Sequence, residues 1–150
     1  MADALSPELG YPVRHCGEVI KQLAARNGRS PNELSSKEHA DADEATRVSA
    51  TQARNLIIEG TFLDVVLADV RNCKLVRLSC DATVREARYN VRRSGTSFAD
   101  RESLDAELRQ RLYQGIPNRA PDLELDTTSK TADAVAREIA KWLMTVRPDT

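Results

Sequence analysis

Arg85, Arg88 and Arg92 stand three and four residues apart, offsets that bring side chains onto neighbouring parts of one helix face. Arg93 follows directly, and Arg109 and Arg111 lie on the next helical stretch. A guanidinium is planar, permanently charged and matched to phosphate oxygens, so such a face suits phosphate recognition; it equally suits a solvated helix paired with acids. Glu59 closes the apolar run Leu56-Ile57-Ile58. At the carboxyl end of a strand in an open α/β sheet, where ligands bind, it could hold a magnesium-bound water or an acceptor hydroxyl, or simply cap the next turn. Asp126, followed by Thr127, Thr128 and Ser129, reads as a cap for the last helix, and Asp64 has no single reading. The acidic stretch Glu38 to Glu44 lacks the glycine and ligand spacing of a calcium loop and fits a solvated helix face. No nucleophile elbow, Ser-His-Asp arrangement or H-E-x-x-H motif occurs, and two histidines leave little room for acid–base chemistry.

These residues need elements to position them. The order is helix, short strand, helix, helix, strand, connection, strand, helix, helix, strand, helix, an alternation that implies an α/β layer structure with a mostly parallel sheet. Pro12 to His15 is a short extended piece before a helix over about 17–26, striped by Val19, Ile20, Leu23 and Ala24 and ended by Asn27-Gly28. Ser30-Pro31-Asn32-Glu33 forms a capping box that should start the next helix. Leu56 to Gly60 and Lys74 to Leu78 are continuous apolar runs suited to a sheet covered on both faces; Leu123 to Asp126 is a weaker third strand. Asp81 can cap a helix reaching Arg93. Leu104, Leu108 and Leu112 stripe the next helix, and Val135, Ile139, Trp142 and Leu143 the last.

At 150 residues and 16.6 kDa the chain suits one domain over residues 1–146 with a short tail at 147–150. A net charge of −1 offers no basic field for nucleic acid, although 17 of the 22 basic residues are arginine. Cys16, Cys73 and Cys80 form neither a C-x-x-C pair nor a zinc spacing, so no metal site is expected. No run approaches the roughly 18 apolar residues of a membrane helix. The expectation is a soluble, cytoplasmic protein with neither membrane nor nucleic-acid partner.

Three segments carry a resemblance. Leu9-Gly10-Tyr11-Pro12-Val13-Arg14-His15-Cys16-Gly17-Glu18-Val19-Ile20, with Leu23 to Gly28 after it, resembles the "LGY…SAGE" segment of short, archaeal-type cytidylate kinases. Leu56-Ile57-Ile58-Glu59-Gly60 resembles their second core strand and turn. Lys74 to Arg93 resembles the strand and arginine-bearing helix that open their lid, and Asp122 to Trp142 their closing strand and helix.

The resemblance implies a three-layer P-loop kinase-like fold lacking its first strand and Walker A loop, because Ala2 to Tyr11 looks like the helix that follows that loop and no G-x-x-x-x-G-K-[ST] occurs. It implies a lid over about 85–112, with Arg85, Arg88, Arg92 and Arg109 as catalytic arginines on the transferring phosphoryl group. It places the acceptor site on His15, Cys16, Gly17, Glu59 and Thr61, of which His15 and Thr61 replace a serine and an arginine usual in the family. ATP and Mg²⁺ as cofactors, a CMP-like acceptor, and an upstream strand and loop of about 10–20 residues are implied in the same way. Without that segment, a partner or second copy could cover the opened sheet. Two rival expectations are a non-catalytic nucleotide-binding or regulatory module and an enzyme of unrelated chemistry. The lid arginines are expected on an exposed face, where Arg88 would contribute little to stability.

Overall fold

The computed structural model describes residues 1–92 and 95–146, so Arg93 and the tail 147–150 lie outside the described residues. The chain is mixed α/β, in the order α1 (Ala2–Leu9), β1 (Val13–His15), α2 (Cys16–Arg26), a 3-10 turn (Pro31–Glu33), α3 (Ser36–Gln52), β2 (Ile57–Glu59), α4 (Leu63–Val66), β3 (Val76–Ser79), α5 (Ala82–Arg92), α6 (Phe98–Tyr113), β4 (Leu123–Asp126) and α7 (Ala132–Val146). Among the described residues no helix is long and apolar enough to cross a membrane.

Local chemistry sets most boundaries. α1 ends where Gly10 takes φ 68° and donates its N–H to the Ser6 carbonyl at 2.8 Å, a left-handed cap that costs glycine nothing. Asp81 caps α5, accepting from the N–H groups of Thr83 at 2.9 Å and Val84 at 3.4 Å. The capping box at Ser30 forms, yet it opens only the 3-10 turn. The helix expected there starts instead at a second box, in which Ser35 accepts from Glu38 N–H at 3.1 Å and Glu38 accepts from Ser35 N–H at 3.1 Å. The reason lies between them: Leu34 is extended and only 1% exposed, and burying its side chain interrupts the helix. Glu38 is also paired with Arg29, whose hydrogen bond chiefly holds its carboxyl down at about 2.

The four strands form two separate two-stranded parallel sheets, not the one sheet expected. β1 pairs with β2 in the register Val13 to Ile57 and His15 to Glu59; β3 pairs with β4 in the register Val76 to Leu123 and Ser79 to Asp126. One core cluster joins Leu5 of α1, Leu125 of β4 and Val135, Ala136, Ile139 and Ala140 of α7. A second joins Ala50, Val66, Leu67 and Val70. The apolar strand runs are not covered on both faces: Ile57, Ile58 and Val76 are half-buried and Leu78 is exposed, leaving Leu125 as the buried residue of the four strands.

Candidate functional site

The carboxyl ends of β1 and β2 meet the first turn of α1. His15, last in β1, sits with Nε2 3.0 Å from Asp3 Oδ1 and Nδ1 3.1 Å from Glu59 Oε2, so one imidazole links all three elements. Cys16 begins α2 with its Sγ 3.7 Å from Thr46 Oγ1. Burial pushes its thiol above the ordinary value, against the hydrogen bond with Thr46, which keeps the sulfur protonated and a poor nucleophile. Gly17 is exposed on the first turn of α2, with open space around its Cα. Gly60 is different: a Cβ there would lie 3.2 Å from Cys16 Cβ and 3.3 Å from Leu63 Cγ, so the turn after β2 presses directly on α2.

Glu59, Gly60 and Thr61 also line a cleft of about 920 Å³ bounded by β2, β3, α1 and α7. His15, Cys16 and Gly17 do not line it. The structure thus splits the sequence-derived acceptor residues between the cleft and the adjoining rim.

The arginines divide more sharply. α5 and α6 contain no buried residue and form an arm from the carboxyl end of β3. Arg85 pairs with Glu102 at 3.2 Å and lies 5.5 Å from the Phe98 ring centroid, stitching the two helices together. Arg88 is half-buried, contrary to the expectation of an exposed side chain. Its guanidinium donates to Thr127 Oγ1 at 3.1 Å and to the carbonyls of Thr127 at 2.8 Å and of Thr128 and Lys130 at 3.3 Å each. The loop after β4 consumes the donors because its carbonyls have no helix or ladder to satisfy them. Arg92 is exposed, and among the described residues its guanidinium has no hydrogen-bond or ion-pair partner.

At the far base of the arm, Arg109 forks onto Asp64 with contacts of 3.2 and 2.6 Å. That hydrogen bond, more than charge alone, holds the Asp64 carboxyl below its usual value. Arg111 reaches the Leu34 carbonyl at 3.5 Å, and Tyr113 donates to Asp43 Oδ2 at 2.7 Å. Asp126 does not cap α7. It accepts from Thr128 N–H at 2.9 Å and Thr128 Oγ1 at 2.6 Å, while Thr131 caps that helix through Ala134 N–H at 3.1 Å.

Two groups carry weight that the sequence did not signal. Arg119 donates to the carbonyls of Val70 at 2.8 Å and Cys73 at 2.9 Å and to Asp122 Oδ2 at 2.9 Å. His39 is 7% exposed with no partner for Nε2; burial, then the charge of Arg111, lowers its pKa and keeps the ring neutral. Neither belongs to a motif, and an isolated arginine or histidine gives no spacing to detect.

The residues present do not form a triphosphate cradle, since the sequence has no glycine-rich loop with lysine. Among the described residues no group of three His, Cys, Asp or Glu side chains could hold a metal ion. No protein-family profile matches the sequence, and no curated protein matches it. A crystal structure of an uncharacterised protein from Eubacterium ventriosum is similar, with TM-score 0.64 and 14% identity over 97% of this chain and 89% of that one. At that identity the likeness concerns the fold.

Proposed function

We propose that the chain is the acceptor-and-lid body of a nucleotide-kinase-like protein. It binds a phosphorylated, nucleotide-like small molecule at the carboxyl rim of its strands, under the α5–α6 arm. The observation that carries this reading is the arm itself: an exposed helical pair rooted beside β3 and β4, with the guanidinium of Arg92, unpartnered among the described residues, near its end. Elements with little buried surface are those that open and close over ligands, and a free guanidinium is suited to phosphate. With a phosphate loop supplied from outside these 150 residues, the rim and arm would serve transfer from ATP to a CMP-like acceptor. Alone they lack the positioning and charge stabilisation on which phosphoryl transfer depends.

A second reading, a non-catalytic nucleotide-binding module, is favoured by one specific observation. Arg85, Arg88 and Arg109 already have protein partners, which reduces the arginines available to a transferring phosphoryl group.

Calorimetric titration of the chain with CMP, ATP and inorganic phosphate separates these ideas from a fold with no such ligand. Binding should weaken with added salt and drop in Arg92→Ala without a change in melting temperature. Identical titrations for wild type and variant would remove Arg92 from the site, and no binding by any of the three ligands would overturn the proposal. Single-turnover assays with ATP, Mg²⁺ and CMP should show no transfer by this chain alone; turnover lost in Arg92→Ala would show a catalytic site within it.

A further inference from the structure

His39, Asp43, Thr46 and Ala50 recur at offsets of four, three and four, which puts them on one face of α3. His39, Thr46 and Ala50 are buried there and Asp43 is half-buried. An inward helix face is ordinarily apolar. Here three of the four residues are polar, so each needs a partner. Thr46 donates to the Ala42 carbonyl at 3.2 Å, and Asp43 accepts from Tyr113 of α6 at 2.7 Å. His39 has only half of what it needs.

The His39 ring hydrogen-bonds to the backbone of Pro31. Proline has no N–H, so its carbonyl is the acceptor. Nε2 has no partner among the described residues, which makes Nδ1–H the donor. That bond fixes the tautomer and leaves a buried lone pair on Nε2. The charged groups facing the ring are Arg111 from α6 and Asp43 and Glu38 from its own helix. Glu38 is already taken by Arg29 and by Ser35 N–H. Burial first, and then Arg111, hold the imidazole below its ordinary value, while Asp43 and Glu38 pull the other way without prevailing.

The neighbours of this ring also hold the end of the arm. Arg111 reaches the Leu34 carbonyl, just ahead of α3, at 3.5 Å, and Tyr113 ends α6 with its bond to Asp43. Burial, then that bond, pushes the Tyr113 phenol up, so it stays a donor. A proton on Nε2 would change both contacts. It places a second cation beside Arg111 where water is excluded and repulsion is weakly screened. The new N–H is also drawn to the Asp43 carboxylate, which Tyr113 uses.

We propose that His39 is a proton-operated latch on the arm: while its ring is neutral the last turn of α6 closes on α3 through Arg111 and Tyr113, and once the ring is charged that turn comes away. The closed latch disfavours the charged ring, so its stability is full above the ordinary histidine value of 6.5 and is lost as pH falls below it. Asp43 leans the other way. Burial raises its carboxyl above 3.8, so a proton there favours closure and offsets part of the effect toward the acid end. The latch acts at the end of the arm away from Arg92 and works without a bound nucleotide.

Amide hydrogen exchange tests this, read as protection factors at about pH 7.5 and about pH 5. In the wild type the amides of residues 109–113 should lose protection about 10-fold on acidification, while those of 135–140 in α7 hold theirs. His39→Gln, which cannot be protonated, should remove the difference. A fall of equal size in that variant would overturn the proposal, and so would a parallel fall in α7, the mark of global unfolding. Tyr113→Phe gives a second check should the glutamine variant fail to fold. It breaks the latch at neutral pH, so its 109–113 amides should show at about pH 7.5 the low protection of the acidified wild type. Full protection there would show that Tyr113 does not hold the helix and would overturn the proposal as well.

Discussion

α6 and α7 each carry a stripe of large apolar residues, but on α6 it stands among polar residues distributed all round the helix while α7 is sharply two-faced, and the two meet different ends. Leu104, Leu108 and Leu112 stripe α6, yet all three stay half-buried. Val135, Ile139 and Ala140 of α7 are buried between α1 and β4. The stripe on a helix says which face packs; how deeply it packs depends on what the neighbouring layer offers. α7 meets Leu5 and Leu125, whereas α6 meets α5, whose inward contributions are Arg85 and Tyr89. The arm is therefore held at its base by directional polar contacts and by the single aromatic anchor Tyr113 against Phe62, while the α1–β4–α7 pack is held by area removed from water.

The largest expected effect tests that contrast directly. Ile139→Ala should destabilise the protein by about 2–4 kcal/mol through lost burial and a residual void, and Leu108→Ala by about 1 kcal/mol or less. Denaturant melts would read both, and equal losses would erase the distinction between pack and arm. Next comes Arg88→Ala, which removes the guanidinium shared by the Thr127, Thr128 and Lys130 carbonyls, of which Thr127 keeps the Lys130 N–H, and should cost about 1–3 kcal/mol. Lysine should not restore it, because a single ammonium cannot reproduce the planar fork. Melting temperatures unchanged within error would show that the contacts at the arm's root are incidental.

A smaller, pH-dependent effect sharpens the picture at the other root. The Asp64 carboxyl is held below its usual value by Arg109, so the stabilisation is present above the ordinary aspartate value of about 4 and fades as pH falls below it. Asp64→Asn should flatten that acid limb and leave stability at lower pH little changed relative to wild type. An acid limb of the same slope in both proteins would separate Asp64 from it. The smallest effect belongs to Arg92→Ala, within about 0.5 kcal/mol of wild type, and a melt showing more would reveal a structural partner.

Much of this was legible in the sequence wherever the determinant was local. Asp81 and Asn27-Gly28 marked helix ends by chemistry confined to one turn, and the stripe Val135, Ile139, Trp142 and Leu143 marked the packed face of α7. The start of α3 was misjudged because a capping box at Ser30 says nothing about where a buried leucine must go four residues later. The arginine helix was found, but the fate of Arg88 was not: its acceptors are main-chain carbonyls 39 to 42 positions away, and carbonyls have no residue type to read. Strand identity was visible in Leu56 to Gly60 and Lys74 to Leu78, while the division into two sheets depends on pairing between distant segments.

Arg119 sets an order of events as well as a contact. Its acceptors on Val70 and Cys73 lie 49 and 46 positions earlier in the chain, so the clamp closes only once the whole arm has been bridged as a loop, at an entropy cost that grows slowly with length. Contacts of that kind form late, after the local helices. Removing the guanidinium in Arg119→Met should accordingly speed unfolding and leave the refolding rate nearly unchanged, the behaviour of a residue absent from the transition state. A denaturant chevron whose unfolding limb rises while its folding limb stays put would place this arginine among the last side chains to lock, and so among those that set how long the folded chain persists.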